Sequence, residues 1–319
     1  MGVLMKKISV LVPCYNEEGN VVPITKAIEE ELKKSCSSYD YEICFIDNCS
    51  TDNTKALVRG ICANNSKVKA IFNARNFGAS KSLYYGLTQL DGDCVILMCC
   101  DFQDPVEMIP KMVVEWEDGA KIVSCIKTKS DENKIVRLFR TIYYKTVQKM
   151  SDIEQIEHFT GFGLYDKDFI AVLRNLHDPT PFLRGIVAEL GFKRVEIPYR
   201  QAKRRSGKSS TNWYYLYDLA MLSFTSYTKV GLRVATFGGA IVAFFSLVVA
   251  IFYFVQKILN WNSFPIGVAP LVIGVFFFGA LQLFFIGFLG EYIMSMNARI
   301  MDRPLVIEEE RINWGKMVK

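Results

Sequence analysis

Two stretches near the C-terminus, Val234–Val255 and Phe264–Gly290, contain no charged residue. Each is longer than the roughly 18–20 residues that carry a helix across a bilayer. They are joined only by QKILNWNS, Gln256–Ser263, and together they predict a transmembrane hairpin. A hairpin buried in a soluble core is the competing reading. Lys229 and Arg233 precede the first run, Arg299 and Arg303 follow the second, and the connecting loop offers Lys257. The positive-inside rule then expects both termini in the cytoplasm and only the short loop outside, with Tyr253 and Trp261 at the outer interface. Ile8–Pro13 is too short for a signal-peptide core and runs into polar residues, so no N-terminal signal peptide is expected. All nine cysteines fall between Cys14 and Cys125, on the reducing side of that topology. They read as free thiols, and their spacing offers no paired Cys-x-x-Cys zinc site. A net charge of +5 favours anionic partners such as phosphates, nucleotides or a lipid surface.

The first half alternates strand-like and helix-like segments. ISVLVP (from Ile8), YEICFID (from Tyr41), KVKAIFNA, CVILM and KIVSCI have strand character, with helical periodicity between them, as over Asn20–Lys34. That rhythm predicts an α/β fold with a largely parallel sheet and helices on both faces. Ligands of such sheets bind beyond the carboxyl ends of the strands. Four polar clusters follow those ends: Tyr15-Asn16-Glu17-Glu18, Asp47-Asn48, Arg75-Asn76 and Asp101-Phe102-Gln103-Asp104. Further on, Asp131–Met150 reads as a charged helix, HFTGFGLYD as a glycine-bearing loop, FLRGIVAELGF as a helix ended by Gly191, and KRVEIPYR as a strand. Cations then cluster at Lys203, Arg204, Arg205 and Lys208, ahead of an apolar, aromatic segment, Trp213–Tyr227, that suits an interfacial helix.

VPCYNEE, FIDNCSTDNT, RNFGAS and CDFQDP resemble, in order and spacing, the motifs of family 2 glycosyltransferases with the Rossmann-like GT-A fold. With the hairpin, the chain is similar to polyprenyl-phosphate glycosyltransferases, a group that includes dolichol-phosphate mannose synthases and bactoprenol glucosyltransferases. The resemblance runs from Ile8 to about Arg303. It implies four segments: a cytosolic catalytic domain over 1–210, an interfacial helix over 211–229, a hairpin over 230–295 and a cytosolic tail over 296–319. It also implies a site. Pro13, Tyr15 and Glu17 match the loop that holds base and ribose, Asp47 the acid that bonds the base, and Arg75 and Asn76 the element facing the diphosphate. Asn48 and Cys49 stand where the family has Asp and Gly.

The family's Asp-x-Asp-x-Gln metal motif falls on Cys99, Asp101 and Gln103, so its first carboxylate is missing. Asp101 and the Gln103 amide oxygen, completed by a diphosphate, make a site for Mg²⁺ or Mn²⁺. The alternative is a metal-free site in which cations such as Arg75 carry the charge. Cys99 reads as a small residue facing the sugar, not as a ligand. Gly161 and Gly163 stand where many relatives have an Asp and an Arg, leaving Glu157 and His158 as the groups to orient the acceptor or take a proton. An ordinary loop histidine is the other reading of His158. The resemblance implies Arg200, Arg204, Arg205 and Lys208 as the acceptor-phosphate cations, with Arg204 and Gly207 matching an Arg-x-x-Gly element; general attraction to anionic lipid is the competing and compatible reading.

The implied activity is inverting transfer of a sugar from a nucleotide-diphosphate sugar, of UDP type, to a polyprenyl phosphate at the cytoplasmic leaflet of a bacterial membrane. No nucleic-acid partner is expected. Gly274, Gly279, Gly287 and Gly290 leave a homo-oligomer open. Two rivals stand: a processive polysaccharide synthase, through Gln201-x-x-Arg204, and a non-catalytic membrane subunit that kept the fold.

Overall fold

The computed structural model describes residues 5–128, 156, 158–202, 204–205, 237, 241, 244–245, 248, 251–252, 255, 258–259, 268–301 and 303–315. Strands β1 (Lys7–Cys14), β2 (Asp40–Asp47), β3 (Val68–Asn73) and β4 (Cys94–Leu97) alternate with helices α1 (Val21–Ser35), α2 (Thr54–Asn64) and α3 (Ala79–Gln89). Then come α4 (Ile109–Glu117), β5 (Ile122–Lys127), β6 (Phe159–Asp166), α5 (Lys167–Asn175), α6 (Leu183–Glu189) and β7 (Arg194–Tyr199). The long helix α7 (Val268–Ile300) and strand β8 (Glu308–Ile312) close the chain.

One sheet results, in the order β7-β5-β6-β4-β1-β2-β3-β8. The β4-β1-β2-β3 block is parallel, as the βα rhythm requires, and β5 pairs β7 in parallel. The rest is antiparallel: β6 lies between β4 and β5, and β8 runs against β3. Successive β1 residues alternate between two cores. Val10 and Val12 face one with Phe45, Phe72 and Trp116, and Leu11 faces the other with Tyr84, Tyr165 and Phe169. Burial on both faces explains why these strands are mostly apolar, with Ser9 and Lys69, both paired to Glu42, among the exceptions.

One expectation is corrected here. The segment read as a loop, HFTGFGLYD, is largely strand β6, in the middle of the sheet. Its glycines misled the reading, and they are there for packing. A Cβ on Gly163 would meet the Val123 carbonyl oxygen at 2.3 Å, so no side chain fits between β5 and β6. Gly161 has φ +102°, a conformation that disfavours any residue with a Cβ. The nine cysteines are free thiols. The charged segment Asp131–Met150 and the interfacial segment Trp213–Tyr227 lie outside the described residues.

The chain divides into two compact units. The first comprises Met1–Tyr144, Ile153–Asn212 and Met301–Lys319, and the second Lys145–Asp152 and Trp213–Ile300. Within the second, α7 is the one helix among the described residues long and apolar enough to cross a membrane, with a mean hydropathy of 1.6 over Phe277–Met294. The other apolar run is described at only some positions, all helical and exposed, among them Phe237, Ile241 and Val248.

Residues beyond α7 do more than form a tail. Strand β8 caps the open edge of β3. Lys55 and Arg59 on α2 pair with Glu309 and Glu310 at 2.7 and 2.8 Å. Trp314 donates to Ala70 O at 3.1 Å while Lys69 and Arg311 sit over its ring. An otherwise bare edge strand is thereby covered.

Candidate active site

The parallel block brings the ends of β1, β2, β3 and β4 to one edge, and the strand order turns back at β1, between β2 and β4. Such a reversal opens a crevice at the carboxyl ends. The four polar clusters meet there.

On the β1–β2–β3 side the loops are tied together. Asn16 N donates to Ser50 Oγ at 2.8 Å, Thr51 N donates to Asn16 Oδ1 at 2.8 Å, and Glu17 N donates to Thr54 Oγ1 at 2.8 Å. Asp47 is wholly buried and accepts from Ser50 through both its backbone N–H and its hydroxyl. Burial pushes the Asp47 carboxyl above its usual range, and the Ser50 bonds pull against that. In this conformation Asp47 orders the turn after β2 rather than facing open solvent. Pro13 and Tyr15 are half-buried at the end of β1.

Asn48 organises the next loop. Its Oδ1 accepts from Asn73 Nδ2 at 3.1 Å and from Phe77 N at 3.0 Å, and its Nδ2 donates to Asn76 Oδ1 at 2.9 Å. Asn76 Oδ1 also accepts from Gly78 N at 2.9 Å. An ionised Asp could accept these bonds but not donate to Asn76, which gives Asn48 a reason to depart from the family's Asp. In the sequence Asn48 stands out only as a departure from the family's Asp, and its hydrogen-bond partners are not legible there; the amides at 48, 73 and 76 were the available signal. Arg75 is exposed at the rim, its guanidinium 4.1 Å from the Phe77 ring centre.

On the other side, the Cys99–Asp104 loop folds around Asp104, which is 2% exposed. Asp104 accepts from Cys99 N at 2.8 Å and from the Tyr199 hydroxyl at 3.3 Å. Burial, opposed by the Cys99 bonds, raises its pKa to about 6. Asp104 was visible as part of a polar cluster, but its partner Tyr199 is far away in sequence, so its bracing role was not legible. Cys99 reaches the surface of the cleft but is otherwise enclosed. That desolvation, with Asp104 and Asp101 nearby, holds its thiol well above the usual value. A protonated thiol is no ligand for a hard cation.

The cationic segment after β7 runs along this loop. Ala202 N donates to Gln103 O and Arg205 N to Asp101 O, both at 3.3 Å, and Arg205 lies 5.1 Å from the Phe102 ring centre. Arg204 reaches furthest. It is hydrogen-bonded to Glu17, and its Nη1 lies 3.7 Å from Asp101 Oδ2. Burial raises the pKa of Glu17, while Asn20 and Arg204 pull it down. Glu17, Asp101 and Arg204, from three distant parts of the chain, thus meet. Arg200 is exposed. His158 begins the approach to β6 with φ +58°; its imidazole is exposed and its carbonyl accepts from Lys127 N. Glu157 and Lys208 lie outside the described residues.

Among the described residues no group of three or more His, Cys, Asp or Glu is arranged to hold a metal ion. Gln103 N donates to Asp101 Oδ1 at 3.1 Å, while the Gln103 side-chain oxygen accepts from Gln201 Nε2 at 3.4 Å. Two hard oxygen donors fit Mg²⁺ or Mn²⁺ when phosphate oxygens and waters complete the shell.

The sequence profile of Glycosyl transferase family 2 matches residues 9–174, just over half of the chain. The bactoprenol glucosyl transferase of Shigella phage SfII is 31% identical over 304 residues, which cover 94% of this chain and 97% of that protein. The chain belongs to glycosyl transferase family 2. This glycosyltransferase is also 30% identical to the prophage bactoprenol glucosyl transferase homolog of Escherichia coli K12, over 94% of this chain and 98% of that one. Among solved structures, the Pyrobaculum calidifontis mannosyltransferase PcManGT, in complex with GDP-Man and Mn²⁺, aligns with a TM-score of 0.47 at 16% identity. That alignment covers 70% of this chain and 63% of the other.

Proposed function

We propose that this family 2 glycosyltransferase moves a hexose from a nucleotide-diphosphate sugar, of UDP type, to a polyprenyl phosphate at the cytoplasmic face of a bacterial membrane. The observation that carries this reading is the meeting of Arg204 with Glu17 and Asp101. A cation from the segment nearest the apolar region is already inside the nucleotide-sugar cleft, where an acceptor phosphate has to arrive. The relatives named for bactoprenol glucosyl transfer align along almost their whole length, which supports the same acceptor class.

The chemistry needs little proton removal. A phosphate monoester has a second pKa near 6 and is largely dianionic at neutral pH. Its oxygen attacks the anomeric carbon from the face opposite the diphosphate. The bond from that carbon to the diphosphate oxygen breaks, its electron pair leaves with the nucleotide diphosphate, and configuration inverts. Glu17 and the loops held by Asp47 and Asn48 position the donor. Arg75 and Arg204 compensate charge on leaving group and acceptor, which is worth most in a water-poor cleft. A divalent ion on Asp101 and Gln103 would supply further charge neutralisation at the diphosphate.

Chain topology supports two spans. Residues on both sides of the apolar region, up to Asn212 and from Met301, belong to the same folded unit. A chain that leaves and returns to one side crosses an even number of times. With α7 as one crossing, Val234–Val255 supplies the second.

The test is a transfer assay with the purified full chain in detergent, Mg²⁺ or Mn²⁺, a panel of labelled nucleotide sugars and polyprenyl phosphate, read by mass spectrometry. A polyprenyl-phosphate hexose from at least one donor is expected. No glycolipid across the panel would overturn the reading, and a long polymer would assign the chain to the processive synthases.

A further inference from the structure

Away from the strand-end cleft, a second cavity of about 390 Å³ opens within the first unit. Its walls are Tyr84, Tyr85 and Thr88 of α3, the end of α5, and the strap Arg303–Val306 that leads from α7 to β8. Most polar groups in these walls are already engaged. Tyr84 donates to Leu173 O at 2.7 Å, Tyr85 to Glu308 Oε1 at 2.8 Å and Thr88 to Tyr85 O at 2.8 Å. Arg174 is spent on the carbonyls of Thr88 and Leu90, while Asp178 accepts from Thr180 through Oδ1 and keeps its negative charge in the wall. Two donor heads remain. His177 and Arg303 both line the cavity, both are exposed, and neither has a side-chain partner among the described residues. His177 is held at φ +38°, a backbone conformation uncommon for a residue with a Cβ.

We infer that this cavity is a binding site for the phosphate headgroup of an anionic membrane phospholipid, separate from the transfer site. A guanidinium and an imidazole in the lining supply donors for a phosphate, and Leu173, Pro304 and Leu305 supply apolar wall for the glycerol carbons. The location favours a membrane lipid over a soluble anion. Arg303 is three residues past Ile300, where α7 ends. Three residues span at most about 11 Å, so Arg303 stays within that distance of the end of α7. This inference therefore rests on the membrane-spanning part of the proposed function. Occupancy would also bear on the donor side. The strap ends at Ile307, whose carbonyl accepts from Ala74 N at 2.9 Å, next to Arg75.

The full chain is reconstituted in phosphatidylcholine nanodiscs with increasing phosphatidylglycerol, and retained phosphatidylglycerol is read by native mass spectrometry. Reconstitution itself is scored first, so failure of membrane insertion is seen apart from failure of this site. Retention of one phosphatidylglycerol per chain is expected. Arg303→Gln with His177→Gln should weaken it about tenfold. Thr88→Trp, or Leu305→Trp where the first folds poorly, fills the cavity with every charge intact and should weaken it as much. Loss with Arg303→Gln but full retention in both Trp variants would reduce the effect to general attraction of cations to the bilayer and overturn the site. Equal displacement by free glycerol phosphate would overturn the lipid assignment. Absence of any retained phosphatidylglycerol in a properly inserted chain would overturn both.

Discussion

On the β1–β2–β3 side of the cleft, polar groups are bonded to one another before any ligand arrives. Asp47 holds Ser50, Asn48 holds Phe77 and Asn76, and Asn16 ties the first loop to the second. On the β4–β6–β7 side, charges from distant segments face each other instead: Arg204 with Glu17 and Asp101, Arg205 along Phe102. The first side is built from neighbouring turns and is rigid by hydrogen bonding. The second depends on the segment after β7 staying in place. Under the proposed function, the donor falls to the first side and the acceptor to the second.

The largest effect should come from forcing the family's residues back onto the second side. Gly163→Arg would drive a Cβ into the Val123 carbonyl, and a loss of more than about 4 kcal/mol is expected. No folded protein should be recovered on size exclusion in detergent. A well-folded Gly163→Arg protein would mean that the close approach of β5 and β6 is misplaced.

Asp101→Ala tests charge compensation itself. It should lower kcat by about 10²–10³ while leaving the melting temperature within a few degrees. Cell-surface glycosylation left unchanged by Asp101→Ala but abolished by deletion of the whole chain would favour the non-catalytic subunit.

Asp104 tests the bracing of the second side by pH. Its folded pKa of about 6 lies above the ordinary 3.8, so the native state keeps a proton that the unfolded chain has lost. Stability should therefore fall as pH rises from about 4 to about 6, by roughly 3 kcal/mol from this group. Asp104→Asn should flatten that slope in thermal melts; an unaltered slope would show that other groups cause it.

The smallest effect is on the first side. Asn48→Asp keeps the acceptor oxygens but loses the donation to Asn76. The donor KM should rise about tenfold with the acceptor KM unchanged. Equal changes in both would dissolve the distinction between the two sides.

How much was legible in the sequence follows the same division. The parallel block was readable because β1 through β4 are mostly apolar, each ending in polar residues, so the strand ends and their edge could be read from local order. Strand β6 was not, because glycines that admit a neighbouring strand look like glycines that make a turn. Strand β8 was not, because EEERI carries four charges and becomes a strand only by covering the edge of β3. The Asp101–Gln103 pair was visible as a motif. Its approach by Arg204 was not, since about a hundred residues separate the two and only the folded sheet joins them.

Transfer as proposed depends on an acceptor that is ionised before it reacts, with no strong protein base. The direct test is the pH dependence of kcat/KM for the acceptor, measured with polyprenyl phosphate and with the more basic polyprenyl phosphonate. The acidic limb should follow each acceptor's own second pKa, near 6 for the phosphate and higher for the phosphonate, and should persist in His158→Gln. A limb that stays at the same pH for both acceptors and disappears in His158→Gln would place the controlling proton on the protein and contradict the account.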